Sequence, residues 1–344
     1  MTEQDAIVVS APWFEDFHRG LHFDAPAVTL TEGHAALYQA LFGDRLRLPL
    51  DRHASARITG TDAPLAHPLL AINVAIGQST WASQRVKANL FYRGLRLQRP
   101  VHIGDTLYTR TRVVALRQNR PQEGRAATGI VALEMTTTNQ HGDTVLHFWR
   151  CPMIPCRDPA ARTGHADDLD AVGHAVAREA LQATVPRHWN LRDTAAWSGR
   201  FARDCAPPRH FEIEARDSVT LAPELVRVSL NMAMAHTDAR ASYLGERLVY
   251  GGHTIFMAFA QITRALPNLL SIVAWESCDH TGPVLENDRL RTRFELTEAI
   301  PLPAEQGGHL LRIEAECFAA RGAVATESES ETRVLDWKFW VWSA

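Results

Sequence analysis

Two stretches of this chain match each other at one fixed offset: Arg99-Pro-Val-His-Ile-Gly-Asp-Thr-Leu-Tyr-Thr-Arg110 and Gly282-Pro-Val-Leu-Glu-Asn-Asp-Arg-Leu-Arg-Thr-Arg293. The patterns around them also repeat in order. In the first half, Leu30 to Asp44 has apolar residues at helical spacing, and Pro68 to Ile76 is apolar almost all round, as a helix buried inside a fold is. Strand-like runs follow at Leu107–Arg117, Gly129–Thr137 and Thr144–Met153, the last two separated by the hairpin-like turn Gln140-His-Gly-Asp143. The second half reads as a short helix over Glu224–Ala235, a buried helix over Gly252–Leu266, and strands at Arg289–Thr297, His309–Ala319 and Thr332–Trp342. A chain so patterned must fold into a unit that can be built twice and joined, a built-in dimer.

The strands alternate as antiparallel sheets with one covered face do, and one buried helix per half suits that cover. The fold class is therefore α+β. The aromatic tail Trp337-Lys-Phe-Trp-Val-Trp342 alternates as a core strand. The expected organisation is an N-terminal repeat over 1–156, an ordered connector over 157–201 in which Asp167–Thr184 has helical spacing, and a C-terminal repeat over 202–344.

Composition narrows the function classes. At 344 residues the chain suits two domains, and 46% hydrophobic against 22% charged residues allow each a sizeable core. A net charge of -3 excludes nucleic acid or an anionic membrane as the main partner. The start Met1–Ser10 has no basic stretch before an apolar one, and the uncharged run Ala63–Gln84 carries Pro64, His67 and Pro68, so a cytoplasmic location without a membrane span is expected. Five scattered cysteines form no C-x-x-C pair, and sixteen histidines form no ligand spacing, so neither a disulfide framework nor a metal site is expected.

The chemistry concentrates in Asn231-Met-Ala-Met-Ala-His236-Thr-Asp238 and Tyr250-Gly251-Gly252-His253. An amide and an imidazole stand five residues apart, upstream of a helix start whose glycine N–H groups are free to bind an oxyanion. That layout suits adding water to an unsaturated thioester, or removing it. His236 is the natural acid/base group, because imidazole titrates near working pH. Asn231 would orient water, and Gly252 would hold the thioester oxygen. Asp238, Tyr250, Gly251 and His253 are further candidates to line the pocket. Each residue has a plainer alternative: a satisfied structural histidine, a cap, a turn glycine.

Together with Trp13-Phe14-Glu-Asp-Phe17-His-Arg-Gly20, Arg99–Asp105, Asn139-Gln-His-Gly-Asp143, Phe148-Trp-Arg-Cys-Pro-Met153 and Leu248-Val-Tyr-Gly-Gly-His253, the pattern resembles the MaoC-like, hydratase-2-type branch of the hot-dog fold, in its two-repeat, mesaconyl-CoA-hydrating form. The resemblance implies a tandem (double) hot-dog, each half an antiparallel sheet wrapped around a central helix, with acyl-CoA held between. It implies a hydratase/dehydratase, a carbon–oxygen lyase, acting on a short or branched enoyl-CoA, four- to five-carbon dicarboxylic acyl groups included. No cofactor beyond the substrate's own CoA is implied. The family motif G-D-x-N-P-L-H puts an Asp where this chain has Asn231 and a His where it has His236. Asn cannot take a proton. In the first half the matching stretch Phe42–Asp51 has stretched spacing with Asp51 at the His position, so that half is expected to be silent. Arg240, Arg247 and Arg289 are the expected partners of a distal carboxylate. Two alternatives stay open, a hot-dog thioesterase with Asp238 as base and a silent acyl-CoA-binding protein, as does pairing into a homodimer.

Overall fold

The computed structural model describes residues 6–201, 204–324 and 330–344. The first half runs β1 (His22–Asp24), β2 (Val28–Thr29), α1 (Glu32–Phe42), α2 (Arg47–Leu50), α3 (Arg52–Thr59), α4 (Pro68–Gln78), β3 (Ala88–Leu97), β4 (Thr106–Gln118), β5 (Thr128–Thr138) and β6 (Thr144–Pro155). A connector carrying α5 (Arg178–Thr184) follows. The second half runs β7 (Arg209–Glu212), β8 (Asp217–Ser218), α6 (Ala222–Val228), α7 (Gly251–Ala265), β9 (Leu269–His280), β10 (Arg289–Pro301), β11 (His309–Ala320) and β12 (Glu331–Ser343). One antiparallel sheet takes all the long strands in the order β1-β4-β5-β6-β3-β9-β12-β11-β10-β7, with β2 on β4 and β8 on β10. Read from either end, that order is the same list of elements. This is the tandem double hot-dog.

The repeated motif is one turn built twice. Asp105 Oδ2 accepts the His102 N–H at 2.8 Å, and Asp288 Oδ2 accepts the Leu285 N–H at 2.8 Å. Each turn needs a left-handed residue, supplied by Gly104 (φ 103°) and Asn287 (φ 69°), and each feeds the long strand that follows. The central helices match too: Gln78 on α4 donates to the Leu107 carbonyl and Gln261 on α7 to the Leu290 carbonyl, both at 2.9 Å.

Three readings from the sequence change. The helix expected over Glu224–Ala235 ends at Val228, because Leu230 is left-handed (φ 56°) and sends Asn231 out of the helix. Within Asp167–Thr184 only α5 is helical; Gly173 (φ 73°) turns the chain before it, and Asp167 instead accepts the Leu116 N–H and pairs with Arg19. The strands β3 and β9, unnoticed in the sequence, pair with each other and join the two halves, Tyr92 opposite Cys278 and Leu95 opposite Trp275. β9 is apolar from Leu269 to Trp275 but for Ser271 and buried on both faces, so it lacks alternation; β3 carries Gly94 at φ 56°, which breaks its own. The aromatic tail is β12, with Trp337, Phe339 and Trp342 buried in the core.

The halves also exchange loops. Thr80, just beyond α4, accepts the Met232 N–H at 2.8 Å, and Thr263 on α7 accepts the Arg45 N–H at 3.2 Å. The approach is closest at Gly77, where a Cβ would lie 1.7 Å from the Ser229 carbonyl oxygen. The first half's central helix thus carries the second half's loop 229–236.

Candidate active site

Between the halves lies a cavity of about 310 Å3, whose lining includes the partly buried Lys87 and the exposed Tyr243. The first half supplies Thr80, Tyr92 and Arg150 to its wall, and the second supplies Asn231, His236, Tyr250, Gly251 and His280. Among the described residues, none that lines it is Asp or Glu.

His236 is placed by a short turn in which its N–H bonds the Ala233 carbonyl at 3.0 Å while the Leu248 N–H bonds the Ala235 carbonyl at 3.0 Å. Its Nδ1 lies 3.0 Å from the Leu248 carbonyl oxygen, which only accepts, so Nδ1 carries the proton and Nε2 keeps its lone pair. Burial pushes this imidazole down to about 4, with the Arg150 guanidinium adding to the effect against the opposing Leu248 hydrogen bond. It is a neutral base throughout the physiological range.

Asn231 is buried, and its Oδ1 is occupied by the Ala233 N–H at 2.9 Å, which leaves the Nδ2 amide as the end able to donate to a bound molecule. Gly251 is the first residue of α7, so its N–H has no partner within the helix and the positive end of the helix dipole backs it. The His280 ring lies against this glycine; a Cβ there would sit 2.4 Å from Nε2. The His280 imidazole is also pushed down to about 4, by burial and then by nearby His236. Tyr250 tilts over His236 at 5.5 Å between ring centroids, with its hydroxyl buried and unpartnered.

The site residues expected from the sequence therefore divide. Asn231, His236, Tyr250 and Gly251 meet at the cavity. Gly252 does not reach it: this glycine is buried under the Tyr250 ring, whose Cε1 would lie 2.5 Å from an added Cβ, so the wall glycine is Gly251. His253 is not among the residues lining the cavity and packs edge-on against Phe42 at 5.0 Å. Asp238 is exposed and caps a short turn by accepting the Arg240 N–H at 2.9 Å. Arg247 pairs with Glu286, Arg289 bonds the Gly322 and Val324 carbonyls, and neither they nor Arg240 lines the cavity. The sequence reading missed His280, Tyr92 and Arg150. Arg150 had a signal: it sits on β6 at the parity of buried Phe148 and Pro152, a charge where the strand faces its core.

At the pseudo-symmetric place in the first half the space is filled. Asp44 copies the Asn231 turn, its Oδ1 accepting the Leu46 N–H at 2.7 Å, and His67 stands at the start of α4 as Tyr250 does at that of α7. Around them Tyr38 stacks on His67 at 4.5 Å, and Phe42, Phe256 and Phe259 pack at 5.1 to 6.0 Å. Asp51, the residue at the expected His position, caps α3.

No family model matches the chain. Beta-methylmalyl-CoA dehydratase of Chloroflexus aurantiacus is 30% identical over 321 residues, spanning 88% of this chain and 86% of that protein. Mesaconyl-CoA hydratase of Cereibacter sphaeroides is 30% identical over 296 residues, 83% of each. Among solved structures, the Mycobacterium tuberculosis protein RV0216, a double hotdog fold, superposes with a TM-score of 0.87 at 44% identity over 98% of this chain and 100% of that one. A MaoC domain protein from Chloroflexus aurantiacus superposes at 0.85 with 26% identity over 98% and 99%.

Proposed function

This chain belongs to the MaoC-like double hot-dog family of hydratases and dehydratases, carbon–oxygen lyases, and on that premise we propose that it adds water reversibly across the double bond of a short or branched enoyl-CoA. One observation carries the reading: the lone pair of His236 Nε2 and the unpartnered N–H of Gly251 belong to residues of one small cavity that holds no carboxylate. In the hydration direction, Nε2 takes a proton from water as its oxygen attacks the β-carbon, and the imidazolium returns that proton to the α-carbon. The Asn231 amide orients the water, and Gly251 stabilises the negative charge that develops on the thioester oxygen. Such a donor contributes about 10²–10³ in rate. With Asn in place of Asp, His236 serves both proton steps.

The cavity's volume of about 310 Å3 fits a short acyl group, at the lower end of ligand pockets. The test follows enoyl-thioester absorbance and free thiol together with mesaconyl-CoA and crotonyl-CoA. Loss of absorbance without thiol supports the hydratase; thiol release would move the chain to thioester hydrolysis. Asp238, the thioesterase candidate, is exposed and outside the cavity. Asp238→Asn is therefore expected to change turnover less than about twofold, as surface substitutions do, and a larger loss would restore Asp238 to the chemistry.

The pH dependence has a definite sign. His236 acts as a neutral base, and burial lowers its pKa, so protonation removes activity only in acid. We expect kcat/KM to stay level from about pH 8 down to about pH 5 and to fall with an apparent pKa near 4, not 6.5. A limb near 6.5 in the pH profile would mean that the working base is exposed.

A further inference from the structure

His280 closes β9 and lines the cavity, and among the described residues no hydrogen bond reaches either of its ring nitrogens. A polar group left so costs free energy, and an apolar side chain at this strand end would avoid the cost. The first half makes that choice. The repeated motif aligns Arg99 with Gly282, which sets Leu97, the last residue of β3, against His280, the last residue of β9. The same offset sets Pro68, the first residue of α4, against Gly251, the first residue of α7. Proline has no N–H. The filled centre therefore lacks both the helix-start donor and the imidazole that the open centre has.

The two groups also touch. A Cβ on Gly251 would lie within 2.5 Å of both Nε2 and Cε1 of His280, so this edge of the ring sits on the bare glycine. Nε2 is buried there with nothing to accept its proton. Nδ1, the next atom beyond Cε1, is the nitrogen left to the cavity, and it carries the proton because there a bound molecule can accept it. Burial, then nearby His236, pushes this imidazole down to about 4, so the ring is neutral at working pH. A neutral ring donates one N–H without the positive charge that would weaken His236 as a base. The buried Tyr250 hydroxyl, by contrast, lies over Gly252, which does not reach the cavity.

We infer that His280 is a second catalytic donor: its Nδ1–H and the Gly251 N–H together hold the thioester oxygen, and the charge that develops there is shared between a strand end and a helix start. The proton stays on Nδ1 throughout, and only the charge it faces grows. The inference rests on the hydratase reading for the identity of the oxygen, and on the contact of His280 with Gly251 for the donor.

The test reads the carbonyl itself. Butyryl-CoA is saturated and cannot be hydrated, so with an isotope label at its thioester carbonyl the infrared stretch of the bound molecule reports hydrogen bonds to that oxygen without turnover. It is measured on wild-type protein, on His280→Phe, which keeps a flat ring without a donor, on His280→Gln, which keeps a side-chain N–H, and on His236→Ala. Hydration of crotonyl-CoA is followed on the same samples. Wild-type protein is expected to lower the stretch relative to free butyryl-CoA. His280→Phe is expected to lose about half of that shift and about 10²-fold in kcat, with KM held within about threefold, and His280→Gln to recover part of both. His236→Ala is expected to keep the full shift. An unchanged stretch in folded His280→Phe overturns the inference, whether the rate stays or KM alone rises, and makes His280 a packing residue. If His280→Phe does not fold, the wild-type protein decides: nitrogen NMR of its His280 ring is expected to show the proton on Nδ1 and a signal that moves when butyryl-CoA is added. A proton on Nε2, no movement, or no lowered stretch in wild-type protein overturns the donor. Failure to hydrate crotonyl-CoA overturns the hydratase reading for that acyl group, while the carbonyl stretch continues to judge His280.

Discussion

His236→Ala is expected to lower kcat/KM for hydration about 10³-fold while leaving acyl-CoA binding near its wild-type strength, because a general acid/base group contributes about 10²–10⁴ in rate and little to ground-state affinity. The geometry makes the residue hard to replace. The Leu248 carbonyl fixes the tautomer, and the turn at Ala233 fixes the ring's position. Among the described residues no carboxylate lines the cavity to take over. His280 offers an imidazole, but it lies against Gly251 at the start of α7. A loss of less than about tenfold, with the absorbance assay and a thermal-shift binding curve on the same sample, would remove His236 from the proton steps.

The second large effect comes from a residue that does not itself line the cavity. Gly77→Ala sits inside α4, where replacing glycine ordinarily stabilises a helix by about 0.5–1 kcal/mol. Here the added methyl would lie 1.7 Å from the Ser229 carbonyl oxygen, a backbone atom that no rotamer change can move. Overpacking of this kind costs about 1–3 kcal/mol, so the clash outweighs the propensity gain. Relief requires the loop from Ser229 to His236 to shift, and a misplacement of about 1 Å in a catalytic group costs about 10²-fold. The variant is expected to melt several degrees lower and to lose about that much activity. Gly33→Ala, on α1 with its nearest neighbour at 3.5 Å, is the control that should keep both. An unaltered melting curve and rate in Gly77→Ala would mean that the halves are held apart less rigidly than the contact implies.

Much of this was legible in the residues because both signals were periodic. The long strands of each half alternate, the central helices are apolar all round, and the repeated turn keeps its Asp at a fixed distance from the strand it feeds. The strands that join the halves were not legible for the same reason inverted: β9 has both faces buried, and β3 is interrupted at Gly94, so neither alternates. Missing them hid the cavity's other wall, since Tyr92 and His280 lie on those strands. The short motif from Asn231 to His236 could be read by spacing alone. Which of Gly251 and Gly252 faces the cavity could not, because that depends on where the Tyr250 ring lies. Asp238 misled by proximity in sequence: two residues beyond His236, it already points to solvent.

The packed aromatic cluster around Asp44 and His67 bears on how such a chain arises and changes. Two copies of a single-repeat chain must carry identical centres, and any substitution is written into both. Once the repeats share one gene, selection acts on each separately. The copy built around α4 was free to fill its own centre with rings while supplying Thr80, Tyr92 and Arg150 to the other. That leaves room for one acyl chain per polypeptide, and a titration with a tight inhibitor should saturate at one equivalent. It also lets the two walls of that single centre diverge, an asymmetry that no dimer of identical chains can acquire.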